Sequence, residues 1–194
     1  AKEKAEAELN FLKLQINPHF LFNSLNSVYF LIEKNNTGAR EALHKFSEML
    51  RYQLYEMNGA TIPIEKEIQY LKDYVDLQKL RKDENYEVTF TCDPEVNGFA
   101  IEPLLLIPFV ENAFKHSDIF ENDHAFIELL LVTSENEIQL TVSNSYLPKN
   151  NHPGIGLENI KKQLAIAYPD QHIITINDIN QVYSIHIKLI NSAT

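Results

Sequence analysis

The sequence has no tryptophan, one cysteine, two methionines and only five glycines in 194 residues. A single cysteine, Cys92, excludes an internal disulfide and fits a reducing compartment, where a buried strand position is its ordinary role. Long apolar runs are missing too. The longest, from Leu104 to Val110, falls far short of the roughly 20 residues a membrane span requires, and no signal-peptide pattern is visible. Positive charge is scarce: 17 basic residues face 27 acidic ones, for a net charge of −10. That balance argues against a nucleic-acid surface, which needs a clustered basic footprint. The seven histidines are scattered without zinc-ligand spacing. No Gly-Lys-Ser/Thr occurs, so there is no P-loop.

What is present is ordinary folded-protein material, 44% hydrophobic and 23% charged, enough for one good-sized domain or two small ones. The opening Ala-Lys-Glu-Lys lacks an initiator Met, so a longer protein with an upstream part is expected. Residues 1 to about 81 read as helix. Leu9, Leu12 and Ile16, then Leu21, Leu25, Val28 and Ile32, keep helical spacing. Asn35 to Gly38 reads as a break, with Gly38 free to take positive φ. Leu43, Phe46, Leu50 and Leu54 mark a second helix. After a turn at Gly59 to Pro63, Ile64, Ile68, Leu71 and Val75 mark a third, with Glu65 and Glu67 near its positive end. From about 82 the period changes to two. Tyr86–Cys92, Ile127–Thr133, Glu137–Ser143, Ile173–Asn177 and Val182–Leu189 alternate like strands. Helical stretches at Glu102–His116 and Leu157–Ala167 lie between them. The expected fold class is α+β: an N-terminal helical hairpin (1–81), then a sandwich (82–194) of a mixed, mostly antiparallel sheet with helices on one face.

Chemistry concentrates in three places. The first is Asn17-Pro18-His19-Phe20-Leu21-Phe22-Asn23. Pro18 cannot donate a backbone hydrogen bond, so a kink or restart is expected there. His19 follows it, and Asn23, four residues on, shares its helix face. An amide there can bond one ring nitrogen and fix which nitrogen is free to attack. Neutral imidazole is a competent nucleophile near neutral pH. The helix from Phe20 to Ile32 is apolar almost all round, which two helices alone cannot cover. A second copy completing a four-helix bundle would do so, and a homodimer is expected.

The second place is Glu111-Asn112-Ala113-Phe114-Lys115-His116. Glu111, Asn112, Lys115 and His116 lie about one turn apart and are expected to project into a shared pocket. An oxygen ligand there suits Mg²⁺, which takes few protein ligands, and a cation offsets phosphate charge. The third is Gly154-Ile155-Gly156-Leu157, two of the five glycines just before a helix whose free N–H groups suit an anion. A dinucleotide-binding reading fails, because Asn159 stands where the third glycine would be.

The first segment, with Met49-Leu50-Arg51-Tyr52 and the stretch Tyr74 to Arg81, closely resembles the LytS/YehU-type sensor histidine kinases of bacterial two-component systems. The second and third segments resemble the N box and the second glycine box of the GHKL ATPase superfamily. The resemblance covers almost the whole chain. It implies that His19 accepts phosphate, that Asn23 steers the imidazole and that ATP is the donor. Asn112 would bind Mg²⁺, Lys115 and His116 would reach the phosphates or ribose, and Glu111 would orient water or polarise the attacking histidine. Gly154, Gly156 and Leu157 would form the phosphate-facing turn. Two departures stand out. Phe20 follows the histidine, where many other histidine kinases carry an acidic residue. Asn144 aligns with the superfamily's adenine-binding Asp, and no glycine follows until Gly154. Residues 145–153 would form a lid.

The implied partners are a second copy of the chain and a response regulator, with a LytTR-type DNA-binding domain often found in such regulators. The implied place is the cytoplasmic part of an inner-membrane sensor whose upstream region is absent. The catalytic domain would swing on residues 76–85. Two rival classes use the same residues: a silent scaffold that binds nucleotide and transfers nothing, and an ATPase in which Glu111 activates water.

Overall fold

The computed structural model describes residues 18–55, 61–82, 85–93, 96, 98–117, 124–134, 136–146 and 155–190. Helix 1–16, the upstream side of the Pro18 kink, Gly154 and the loop 147–154 lie outside the described residues. The chain forms two compact units, Ala1–Asn58 and Gly59–Thr194.

The first unit contains helices α1 (Pro18–Leu31) and α2 (Thr37–Tyr55). Pro18 opens α1, where its missing N–H costs nothing. Asn36, not a left-handed Gly38, makes the break: its Oδ1 accepts the Ala39 N–H at 3.1 Å, and Gly38 is already inside α2. This is an ordinary N-cap, worth about 1 kcal/mol. The helices pack together with Phe22 stacked on Tyr55 at 6.4 Å and the Arg40 guanidinium 4.1 Å above the Tyr29 ring. No residue of α1 or α2 is buried within the chain. Phe30 and Leu31 are each 82% exposed.

The second unit begins with a two-residue ladder, β1 (Ile62–Pro63) against β3 (Ala100–Ile101). Helix α3 (Ile64–Lys79) follows. Its stripe Ile64, Ile68, Leu71 and Val75 is buried, each side chain contributing roughly 1.5–3 kcal/mol. That burial lies in the sheet unit, against β2 (Tyr86–Cys92) and α4 (Ile107–His116). By packing, therefore, α3 goes with the sheet, and the division falls at Asn58/Gly59 rather than near residue 81. Residues 76–79 lie inside this packed helix.

Strands β4 (Ala125–Ser134), β5 (Glu137–Ser145), β6 (His172–Ile179) and β7 (Val182–Ile190) complete a five-stranded sheet of order β2-β4-β5-β7-β6. Only β2 and β4 run parallel. Period-two alternation sends Ile127, Leu129 and Leu131, then Ile138, Leu140 and Val142, then Ile185, Ile187 and Leu189, into the core,. Helix α4 covers β4 and β5 there and also meets α5 (Ile155–Ala167). The opposite face is polar. Ser143 Oγ bonds Ser184 Oγ at 2.9 Å, Thr141 bonds His186 at 3.0 Å, and Lys188 pairs with Glu137 at 2.5 Å. The mixed sheet with helices on one face is the expected α+β sandwich.

Helix α4 starts at Ile107, not at Glu102. Pro103 disfavours helix at Glu102, Leu104 has φ of 59°, and Pro108 fits the first helical turn,. Residues 102–106 are therefore a turn, and a buried carboxylate holds it. Glu67 Oε2 accepts the Leu104 N–H and Oε1 the Leu106 N–H, both at 3.0 Å, while the Glu67 side chain is fully enclosed.

Candidate functional site

In the helical unit, His19 and Asn23 are both exposed on α1. The Asn23 amide nitrogen lies 3.3 Å from His19 Nδ1 and 3.4 Å from Nε2, the one-turn contact that the spacing predicts. Ser24 and Ser27 return their hydroxyls to the Phe20 and Asn23 carbonyls at 2.8 and 2.9 Å. The polar side chains around the histidine are thus tied to α1 itself. The imidazole edge stays open to solvent.

In the sheet unit, α4 divides the four expected residues between two stripes. Its apolar side, Ile107, Phe109, Val110, Ala113 and Phe114, is buried. Glu111 and Lys115, one turn apart, line a groove of about 350 Å³ with Tyr74, Gln78, Arg81 and Lys82 from the end of α3 and just beyond. Asn112 and His116 occupy the neighbouring stripe and do not line that groove. The single shared pocket expected from the sequence is therefore two adjoining surfaces, because i and i+1 on a helix point about 100° apart.

The groove is electrostatically uneven. Glu111 stands at its edge, yet enough protein surrounds it that desolvation pushes its carboxyl above the usual range. The Tyr74 hydroxyl is pushed up to about 12, first by burial and then by the Glu111 charge, against a hydrogen bond from Gln78 and the charge of Arg81. Tyr74 is therefore a neutral donor at any physiological pH. Its ring meets Phe114 edge-on at 5.7 Å. Lys82 is held with its Nζ 3.8 Å above the Tyr86 ring and 3.4 Å from Ser117 Oγ.

Asn144 ends the inward row of β5, opposite Ile127 of β4 and Tyr183 of β7. It is 1% exposed, and its Nδ2 donates to the Ser145 carbonyl at 2.9 Å. Ser145 beside it is fully buried and accepts the Phe126 N–H at 3.0 Å. Gly156 and Leu157 fall inside the first turn of α5, not in a turn before it. Tyr74, Arg81 and Lys82 line the groove between α3 and α4, and motif reading gave them no role. The signal for them was a Tyr-to-Arg stretch ending a helix beside the strand Tyr86–Cys92.

Comparison with known proteins gives the class of protein. The Histidine kinase family matches residues 7–86. The catalytic domain of the histidine kinase ThkA shares the fold, with a TM-score of 0.51 at 16% identity, over 68% of this chain and 95% of that domain. The histidine kinase AdeS of Acinetobacter baumannii aligns over 91% of this chain and 96% of its own, with a TM-score of 0.50 at 10% identity. Among sensor proteins, LytS of Staphylococcus saprophyticus is 32% identical over 157 residues, 81% of this chain and 26% of that protein. YpdA of Escherichia coli is 31% identical over 175 residues, 84% of this chain and 31% of that protein. Over about four fifths of its length the chain is similar to LytS-type sensor histidine kinases. It spans about a quarter to a third of the length of these relatives. Among the described residues no helix is long and apolar enough to cross a membrane.

Proposed function

We propose that this chain is the kinase core of a two-component sensor, which uses ATP·Mg²⁺ to phosphorylate His19 and passes the phosphoryl group to a response-regulator aspartate. The observation that carries the reading is the exposed His19–Asn23 pair within the segment matched by the histidine kinase family. The residues present fit the nucleotide. Asn144 has its amide nitrogen committed to Ser145, so Oδ1 is the atom to accept from the adenine amino group. Asn112, half-buried on α4, offers one amide oxygen to Mg²⁺, which would neutralise phosphate charge when bound. Lys115, on the same helix, supplies a cation for the phosphates. His116 and the Gly154–Leu157 segment would complete the nucleotide cradle.

The transfer needs little from the protein beyond alignment and charge. The lone pair of one His19 ring nitrogen forms the N–P bond as the bond to the bridging oxygen breaks and ADP leaves. The proton on the other ring nitrogen then passes to solvent. Asn23, whose amide nitrogen lies against the ring, would hold the imidazole in orientation. Glu111, on the catalytic side, would polarise this chemistry. A second copy would cover the exposed Val28, Phe30, Leu31 and Phe46 as a four-helix bundle. The regulator, of LytTR type, and the membrane part of the sensor lie outside this chain.

The test is incubation with γ-labelled ATP and Mg²⁺. Acid-labile label in the wild type and none in His19→Gln or Asn112→Asp is expected. Label that persists in His19→Gln would end the assignment. The neutral, buried Asn144 favours one second reading, a silent scaffold, in which ATP binds without labelling.

A further inference from the structure

The groove between α3 and α4 gathers positive charge. Arg81, Lys82 and Lys115 line it with one carboxylate, Glu111, in a chain whose net charge is −10. Lys115 sits one turn from Glu111, the spacing of a helical ion pair, yet neither it nor Arg81 makes an ion pair among the described residues. Lys82 is fixed in place between the Tyr86 ring and Ser117. Cations of like sign gathered beside a partly desolvated wall repel one another, and an anion of charge near −2 relieves that. The other lining groups, Tyr74 and Gln78, are neutral donors,. A rigid cation, a guanidinium fork and a phenol donor make a set matched to a tetrahedral phosphoryl group.

We propose that this groove binds the terminal phosphate of the nucleoside triphosphate, with Arg81 as the residue that recognises it. The proposal rests on the nucleotide reading above and adds Arg81, Lys82 and Tyr74 to the residues of α4. It gives the groove a specific task. ADP lacks the group that Arg81 would hold, so Arg81 sets the preference for ATP over ADP and has no part in binding adenine or ribose. The same guanidinium fork can stabilise the phosphoryl group as its bond to the bridging oxygen loosens.

The experiment measures binding of ATP, ADP and inorganic phosphate to the full chain with Mg²⁺, in wild type, Arg81→Ala and Arg81→Lys. Arg81 is exposed, and circular dichroism beside each titration verifies the fold. Loss of one charge-assisted bond predicts an ATP affinity about ten- to a hundredfold weaker in Arg81→Ala. ADP affinity should stay within about twofold, with Arg81→Lys between wild type and alanine. An equal loss for ATP and ADP, or no loss for either, would overturn the terminal-phosphate assignment and leave the kinase reading standing. An effect on inorganic phosphate with none on ATP would assign the groove to a free anion and overturn it as well. A wild type that binds neither nucleotide would overturn both readings together.

Discussion

Removing the Glu67 carboxylate is the perturbation that most directly tests how the α4 surface is built. Glu67 is fully enclosed, and its two oxygens accept the Leu104 and Leu106 N–H groups at 3.0 Å each. Those bonds hold a turn that contains Leu104 at φ 59°, a conformation that costs a β-carbon-bearing residue of order 1–3 kcal/mol. In Glu67→Ala both donors lose their partner inside protein, at roughly 1–3 kcal/mol each. The expected loss is therefore about 2–6 kcal/mol, a large share of the 5–15 kcal/mol typical of a domain. Glu67→Gln keeps one acceptor oxygen but turns an NH₂ toward a donor, so roughly half that loss is expected. The assay is urea unfolding of the full chain, with amide exchange of Leu104 and Leu106 as a local readout. The expected order of stability is wild type, then Gln, then Ala, with both amides exchanging faster in the variants. Nucleotide affinity should fall too, because α4 begins immediately after Leu106 and carries Asn112 and Lys115. A Glu67→Gln protein as stable as wild type, with both amides still protected, would refute the reasoning.

Glu111→Gln should raise stability at neutral pH while lowering phosphoryl transfer. Burial raises this carboxyl, so its favourable contribution is present at acid pH and is lost as pH climbs through the carboxylate range; urea midpoints on either side of that range check the sign. Tyr74, raised from 10.0 to about 12, should be among the last tyrosines to ionise in an ultraviolet titration. Its contribution to stability is intact below pH about 10 and is lost toward 12, so Tyr74→Phe should flatten the alkaline fall in stability. Asn144→Asp should weaken the free protein, since an ionised carboxylate would face the Ser145 carbonyl that now accepts its amide at 2.9 Å. The same change should strengthen adenine binding. A larger ATP-induced thermal shift with a lower starting melting temperature is the expected pair of results, and an unchanged starting temperature would contradict the burial argument.

The parts of this molecule that were legible in the sequence are those set by local periodicity. The inward row Ile138, Leu140, Val142 and Asn144 follows from alternation alone, and it places a polar amide at the end of an apolar strand face. The His19–Asn23 contact follows from helical spacing. Pairing between distant segments was not legible. Nothing in Tyr86–Cys92 says that it runs parallel to β4 while its neighbours run antiparallel. The two-residue ladder of Ile62–Pro63 with Ala100–Ile101 is too short to leave a period. The hairpin between β6 and β7 turns through Asn180 and Gln181 at φ 53° and 62°, and Gln is a poor signal for that conformation.

Glu67 shows most clearly why local reading stops short. Two acids in the first turn of α3 suit the helix dipole, and Glu65 does stay near the surface, where it accepts the Gly98 N–H at 3.2 Å. Glu67 has the same sequence logic and a different fate. It lies beside the apolar stripe of Ile64, Ile68 and Leu71, so the helix carries it inward. There a carboxylate survives only with donors to satisfy it. The donors come from residues 104 and 106, and the helix they start carries Asn112 and Lys115. An acid on the apolar side of a helix was thus the one visible trace of the joint between α3 and α4. That joint fixes the register in which Tyr74 and Arg81 meet Glu111 and Lys115 around one groove. The positioning of the candidate phosphate groove therefore rests on a buried acid about two turns back along α3 from Tyr74,, and a stability defect in Glu67 variants should appear together with loss of ATP selectivity.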